Sequence, residues 1–360
     1  MDVKYRFIKF LLYNITLASI VMNNRIGWCK DVQHVDGKEI PVITPNVSYS
    51  HKGRVELLAI SPDGNSVATE STDGVKIADI KNGKVLQAWN ERGFSANSLA
   101  FSNDGRILGT GNNDGWVRLW NTGTGTLLKK FRICQWSIYA ITFSPDGQTL
   151  VSCAADGTVQ LWNIEIDKRL MTLGGKGERM SAMVFSPDGK LLATLSRYVK
   201  TTVWDAATGR LVGTLAGKGV DFGSLCSILF CYQGKVVAVA CDGDIRFWNP
   251  RENKEPKRLR IPDSIDPLKE RNVGTFGPYS RLIFIGLTVL SHDAKKAATV
   301  NKDGSIAVWD IETRQVRQTL MGTRVVDLLG GGVETMIFTP DGKVLASGNR
   351  NGEVEVWQIE

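Results

Sequence analysis

The sequence predicts an all-β chain: a seven-bladed β-propeller of four-stranded antiparallel blades, closed by an N-terminal strand. Three markers predict it, a strand ending in Trp, a Ser-Pro-Asp-Gly turn and an Asp-Gly pair, which recur in step along the chain. Thirty-seven glycines among frequent Val, Ile, Leu and Thr fit short strands joined by tight turns.

Composition sets the frame. The chain is 42% hydrophobic and 22% charged, near the globular averages, which excludes wholesale disorder, a coiled coil and a collagen. Three histidines leave little scope for general-base or metal chemistry, so a binding scaffold fits better than an enzyme. The cysteines, at 29, 134, 153, 226, 231 and 241, form no Cys-x-x-Cys pair, and zinc and c-type haem spacings are absent. Cys226 and Cys241 could meet across a hairpin, but the expected register puts Cys226 nearer Ala240. Free, buried cysteines are expected.

From the N-terminus, residues 1–22 read as a signal peptide or membrane anchor. Lys4, Arg6 and Lys9 precede an apolar stretch from Phe10 to Met22, the order of a basic n-region and an apolar h-region. Residues 23–37 read as a linker. An exported or membrane-tethered protein is expected; the alternative is a cytoplasmic one with a ragged N-terminus. Residues 1–22 hold +2 of the formal +7, leaving +5, too mild an excess to imply nucleic acid.

The repeat begins after residue 38. Ala78-Asp79, Trp120-Asn121, Trp162-Asn163, Trp204-Asp205, Trp248-Asn249, Trp309-Asp310 and Trp357-Gln358 stand at intervals of 42, 42, 42, 44, 61 and 48 residues. A period of about 40–45 with this dipeptide marks a propeller blade of four strands. Ser61-Pro62-Asp63-Gly64 returns as Ser102-Asn103-Asp104-Gly105, Ser144-Pro145-Asp146-Gly147, Ser186-Pro187-Asp188-Gly189 and Thr339-Pro340-Asp341-Gly342. Pro presets φ early in such a turn and Gly supplies the positive φ that ends it. Asp-Gly at 73, 114, 156, 242 and 303, with Asn351-Gly352 last, precedes each third strand.

These motifs resemble the WD-repeat family, in the style where Ser-Pro-Asp-Gly is frequent, over residues 38–360. The resemblance implies a seven-bladed propeller that serves as a platform for other proteins. Several blades depart from the pattern. The family's Gly-His survives only as His51, read as structural, so its buried Asp–His–Ser/Thr–Trp network cannot be complete in most blades. Blade one has Ala78 for Trp, blade four replaces Asp-Gly with Arg197-Tyr198-Val199-Lys200, and blade six turns on Ser291-His292-Asp293-Ala294.

The chain ends after the third strand of blade seven, and Glu39 to Ser48 can supply the fourth. Pro41 and Pro45 are tolerated at an outer edge. The insertion at 250–282 carries five of the eleven prolines and reads as a solvated loop, or as a partner-recruiting arm.

Enzyme signatures are weak. Gly213 to Gly219 imitates a phosphate loop with one residue too few between its glycines and Gly219 where Ser or Thr must hold magnesium. No Gly-x-Ser-x-Gly elbow and no metal cluster appears. No catalytic, metal or cofactor residue is assigned, and no cofactor is expected. What remains is recognition by loops that enter the first strand of each blade or join its second and third strands. They should share one face and present Arg54, Phe94, Trp136, Arg179, Tyr198 and Phe222, types enriched at binding hot spots. Lys176, Arg179, Arg197, Lys200 and Lys218 should surround Tyr198 as a basic patch, tempered by Glu178 and Asp221. The function expected is a non-enzymatic protein-interaction scaffold, monomeric, with an acidic protein partner and no nucleic acid, and with a membrane tether through its N-terminus as a further expectation. The alternative is a propeller enzyme or cofactor carrier with a central-channel site.

Overall fold

The computed structural model describes residues 32–35, 38–43, 45–90, 95–174, 180–196, 200–215, 227–231, 236–241, 244–252, 256–260, 288–301, 304–322 and 332–360. The chain divides into two compact units, up to Val42 and from Ile43 onward. Among the described residues no helix is long and apolar enough to cross a membrane.

In the first unit β1 (Val32–Val35) pairs with β2 (Lys38–Ile43) as an antiparallel hairpin, in register from Val35↔Lys38 to Val32↔Pro41. β1 falls at the end of the segment expected as a linker over 23–37, most of which lies outside the described residues. Val-Gln-His-Val alternates apolar and polar residues, and the intervening Asp-Gly is a favoured two-residue hairpin sequence. The signal or anchor expected over 1–22 lies outside the described residues.

The second unit is a propeller of antiparallel blades. After β3 (Val47–Ser50), β4 to β7 (Leu57–Ile60, Ser66–Ser71, Gly74–Asp79, Val85–Trp89) pair in order. So do β8 to β11 (Ala96–Phe101, Ile107–Asn112, Trp116–Asn121, Leu127–Arg132) and β12 to β15 (Ile138–Phe143, Thr149–Ala154, Val159–Asn163, Lys168–Leu173). The next two sheets are β16 to β19 (Met180–Phe185, Leu191–Ser196, Thr201–Asp205, Leu211–Leu215) and β20 to β23 (Ser227–Cys231, Val236–Cys241, Asp244–Trp248, Lys257–Arg260). In the last, β28 to β30 (Val333–Phe338, Val344–Asn349, Glu353–Gln358) take β3 as their fourth strand. Six four-stranded blades are thus observed where the sequence predicts seven. Outside them, β24 to β27 (Thr288–Leu290, Lys296–Val300, Ile306–Asp310, Gln315–Leu320) pair consecutively, after the 61-residue interval whose insertion breaks the repeat.

The strand opposite β30 is β3, not the expected Glu39 to Ser48. Its register runs from Val47↔Val356 to Ser50↔Glu353. The shift has a packing cause: Val47 and Tyr49 alternate with serines, and they lie against the buried cluster of Val67, Ala78, Ile80, Ala346 and Val356. Side chains two apart share a strand face, so these two seat β3.

The innermost strands β4, β8, β12, β16, β20, β24 and β28 neighbour one another in that order, and β28 abuts β4. They surround a central cavity, lined by residues such as Leu58, Leu99, Ile141, Met183, Ile228 and Met336. In the sheets of β4 to β19 and of β28 to β30 the second and third strands are largely buried, and their Val, Leu and Ile side chains fill the space between sheets.

The recurrent turns work as their sequence suggests. Ser61 Oγ donates to Asp63 at 2.5 Å and accepts the Ser66 N–H at 2.9 Å, clamping the β4–β5 hairpin. Equivalent pairs recur at Ser102–Asp104, Ser186–Asp188, Ser291–Asp293 and Thr339–Asp341. Where the others have Gly, the β24–β25 turn has Ala294 at φ 56°, a left-handed conformation that costs an L-residue about 1–2 kcal/mol.

The repeated tryptophans close hydrogen bonds inside the blades. Trp120, Trp204 and Trp309 donate Nε1–H to Thr110, Thr194 and Thr299 at 3.2, 3.2 and 2.8 Å. In the sheet of β12 to β15 the matching atoms, Ser152 Oγ and Trp162 Nε1, are buried without a hydrogen-bond partner. Cys134 and Cys153 are free thiols. Ser227, not Cys226, faces Ala240, and Cys226 lies outside the described residues.

Candidate protein-interaction face

Loops entering the blades meet turns between second and third strands through backbone hydrogen bonds. His51 N donates to Gly352 O at 2.7 Å, Asn113 N to Ser95 O at 3.1 Å, and Ala155 N to Ser137 O at 2.9 Å. These bonds put the described loops of both kinds at one end of their sheets. The Asp-Gly pattern has a steric reason there. A Cβ on Gly115, at φ +78°, would lie 2.3 Å from Cys134 O, and one on Gly352 would lie 2.6 Å from the carbonyls of His51 and Gly53.

A buried hydrogen-bond chain anchors this end of the β4–β7 sheet. His51 Nδ1–H donates to Asp73 Oδ1 at 2.5 Å, and His51 Nε2 accepts from Thr69 Oγ1 at 2.7 Å. A carboxylate only accepts, which sets the tautomer. The missing tryptophan is Ala78, and the Tyr49 hydroxyl stands 3.2 Å from Thr69 Oγ1 instead. Tyr49 belongs to β3, so the replacement donor ties the sheet of β28 to β30 to its neighbour. Burial lowers the His51 pKa against the pull of Asp73. Burial also works to raise Asp73, but bonds from His51, Lys76 and the Lys52 N–H outweigh it and hold the carboxyl at about 2. His51 is structural, as the sequence suggests.

Several charged groups at this end of the sheets are paired with one another. Arg54 Nε donates to Glu56 at 2.8 Å, and that bond raises the guanidinium pKa. Lys76 pairs with Asp73 at 3.0 Å, Arg118 with Asp114 at 2.8 Å, and Arg350 with Glu334. Arg54, expected as a recognition cation, is therefore already committed to a carboxylate. One group stands apart: burial raises Glu70, at the end of β5, to about 7, with Ser95 Oγ 3.3 Å away.

Trp136 is where the sequence places it, on the β11–β12 loop, and 52% of it is exposed. Its backbone is pinned: Trp136 N donates to Cys134 Sγ at 3.4 Å and Trp136 O accepts from that thiol at 3.0 Å. Lys200 accepts the Ser196 N–H at 2.9 Å through its carbonyl, closing the β17–β18 turn. Phe94, Lys176, Arg179, Arg197, Tyr198, Lys218 and Phe222 lie outside the described residues. Sequence reasoning missed Glu70 and the Tyr49 replacement. The hydroxyl ten residues before Trp, as in Thr110–Trp120 and Thr299–Trp309, was there to be read; nothing local marks Tyr49 as its surrogate partner.

Among the described residues no group of three or more His, Cys, Asp or Glu is placed to hold a metal ion. The family model described as WD domain, G-beta repeat matches residues 83–121, 125–163, 209–249 and 323–358. The chain is also similar to a guanine nucleotide-binding protein subunit beta of Nicotiana tabacum, 35% identical over 80 residues. That match covers 21% of this chain and 21% of the relative, so the chain spans about a fifth of the relative's length.

Proposed function

We propose that this chain of WD40 repeats is a non-enzymatic scaffold that presents its loop face to protein partners. The observation that carries the proposal is Trp136: a half-exposed indole on a backbone held by the Cys134 thiol. A rigid aromatic anchor is the residue type on which interfaces concentrate binding energy. Trp136→Ala should lower capture of partners from native extract by tenfold or more while leaving thermal stability unchanged. Equal capture by the variant and the parent would sink the proposal.

The fuller reading adds an acidic partner, drawn by the cations of blade four: Lys176, Arg179, Arg197, Lys200 and Lys218 around Tyr198. Such a patch speeds encounter more than it raises affinity. Reversing Arg179 and Arg197 to Glu should slow association and leave folding intact; unchanged association at low salt would refute the patch. The ring itself is proposed as seven-bladed, with β24 to β27 as the remaining blade and β3 against β30 as its closure. The neighbour order of the innermost strands supports this count. A monomer exported or tethered through residues 1–22 completes the proposal, on the strength of Lys4, Arg6 and Lys9 before the apolar stretch. Cell fractionation with N-terminal sequencing of the mature chain tests it.

A further inference from the structure

The outer strands share a bulge, present in β19 and β27 as well, and in three of them it carries leucine. In β7, β11 and β15, the last strands of their sheets, the pairing register skips one residue. Ala78 pairs with Val85 and Ile77 with Gln87, leaving Leu86 out. Trp120 pairs with Leu127 and Leu119 with Lys129, leaving out Leu128. Trp162 pairs with Arg169 and Leu161 with Met171, leaving out Leu170. Leu86, Leu128 and Leu170 are 46%, 49% and 48% exposed. Each sits on a bulge, which re-aims a side chain and interrupts the edge. Edge strands ordinarily expose charge there, not leucine.

The leucines stand among cations. β11 carries Lys129, Lys130 and Arg132, β15 carries Lys168 and Arg169, and neither strand holds a carboxylate. Lys168 and Arg169 are exposed and make no ion pair among the described residues. The acids next in sequence, Glu165 and Asp167, lie in the turn before β15, and Asp167 is taken by Lys129 at 3.0 Å. Lys129 Nζ also donates to Ile164 O at 2.8 Å and Glu165 O at 3.1 Å. Those bonds draw the turn that carries Ile166, 63% exposed, against β11.

We propose that the rim formed by β11, β15 and the 164–167 turn docks on an anionic lipid bilayer, inserting Leu128, Ile166 and Leu170 beneath a collar of Lys130, Arg132, Lys168 and Arg169. The collar's charge complements anionic headgroups, and leucines flanked by Lys and Arg are the pattern of surfaces that lie in the bilayer interface. The bulges disfavour the other readings. An interrupted edge is a poor template for a strand of acidic peptide, and leucine has nothing to gain from a nucleic-acid backbone. This surface is separate from the loop face and does not depend on it.

The test uses the full chain with vesicles of phosphatidylcholine and phosphatidylglycerol at 7:3, and with phosphatidylcholine alone, followed by hydrogen exchange. Exchange at residues 126–132 and 165–172 should slow on the mixed vesicles and not on neutral ones, whatever the N-terminal segment does. Leu128→Ser with Leu170→Ser should abolish that protection and leave the melting temperature unchanged. Each cation removed, as in Arg169→Ala, should weaken the effect about fivefold. Absence of protection on mixed vesicles, or its persistence in the double leucine variant, overturns the proposal. So does equal protection by polyglutamate in place of vesicles, which would assign the rim to an acidic polypeptide.

Discussion

Glu70 makes the stability of this propeller fall as pH rises through a defined window. Its side chain is buried at the end of β5, with the Ser95 hydroxyl as its hydrogen-bond donor and the Glu56 and Asp73 carboxylates adding repulsion. Burial first, then that repulsion, lifts its pKa from the ordinary 4.5 to about 7. Between those values the folded chain holds a proton that the unfolded chain has released, so folding loses free energy as pH climbs from 4.5 to 7. The full shift corresponds to a ceiling of about 3 kcal/mol. Residual solvent contact at this loop edge screens the charge, and about 2 kcal/mol is the expected loss. Glu70→Gln keeps the shape and removes the charge. Parent and variant should match in urea denaturation at pH 4.5. The variant should gain steadily to about 2 kcal/mol of advantage at pH 8. A difference independent of pH, or a parent that is the more stable form at pH 8, would refute a neutral carboxyl at this position.

Trp204→Ala should destabilise by about 3–4 kcal/mol, since it opens a cavity and removes the indole hydrogen bond to Thr194 Oγ1; a loss under about 0.5 kcal/mol in chemical denaturation would place the indole at the surface. Tyr49→Phe should cost about 1 kcal/mol, the worth of one part-buried hydrogen bond to Thr69, and a neutral result would deny that bond. Ala294→Gly should raise the melting temperature, gaining about 1 kcal/mol from relief of φ 56°; a lower melting temperature would show that the Ala294 methyl contributes more by packing than its backbone costs.

The repeat was legible because each marker has a local cause. The turn Gly is required by a positive φ, the Asp-Gly glycine by a carbonyl within 2.3 Å of where its Cβ would sit, and the serine by an aspartate two residues on. Such needs recur in most blades, so the sequence repeats them and the strand positions follow. The strand β1 was not legible because four residues leave too short a pattern to separate from a tether. Of the candidate site, Trp136 and its loop could be read from the sequence, whereas the neutralisation of Arg54 could not.

Sequence by itself determined the all-β class, the blade period, the turns and the structural role of His51, all of which depend on residues near one another or spaced by the repeat. Tertiary structure alone decided which residues of the N-terminal region pair with β30, that Tyr49 stands in for the tryptophan absent at Ala78, and that Glu70 is buried beside two carboxylates. Tyr49 and Ala78 are 29 positions apart, and β3 and β30 lie at opposite ends of the propeller sequence. A donor's partner, a strand's neighbour and a carboxyl's burial are set by what the folded chain brings alongside, and no local pattern encodes that.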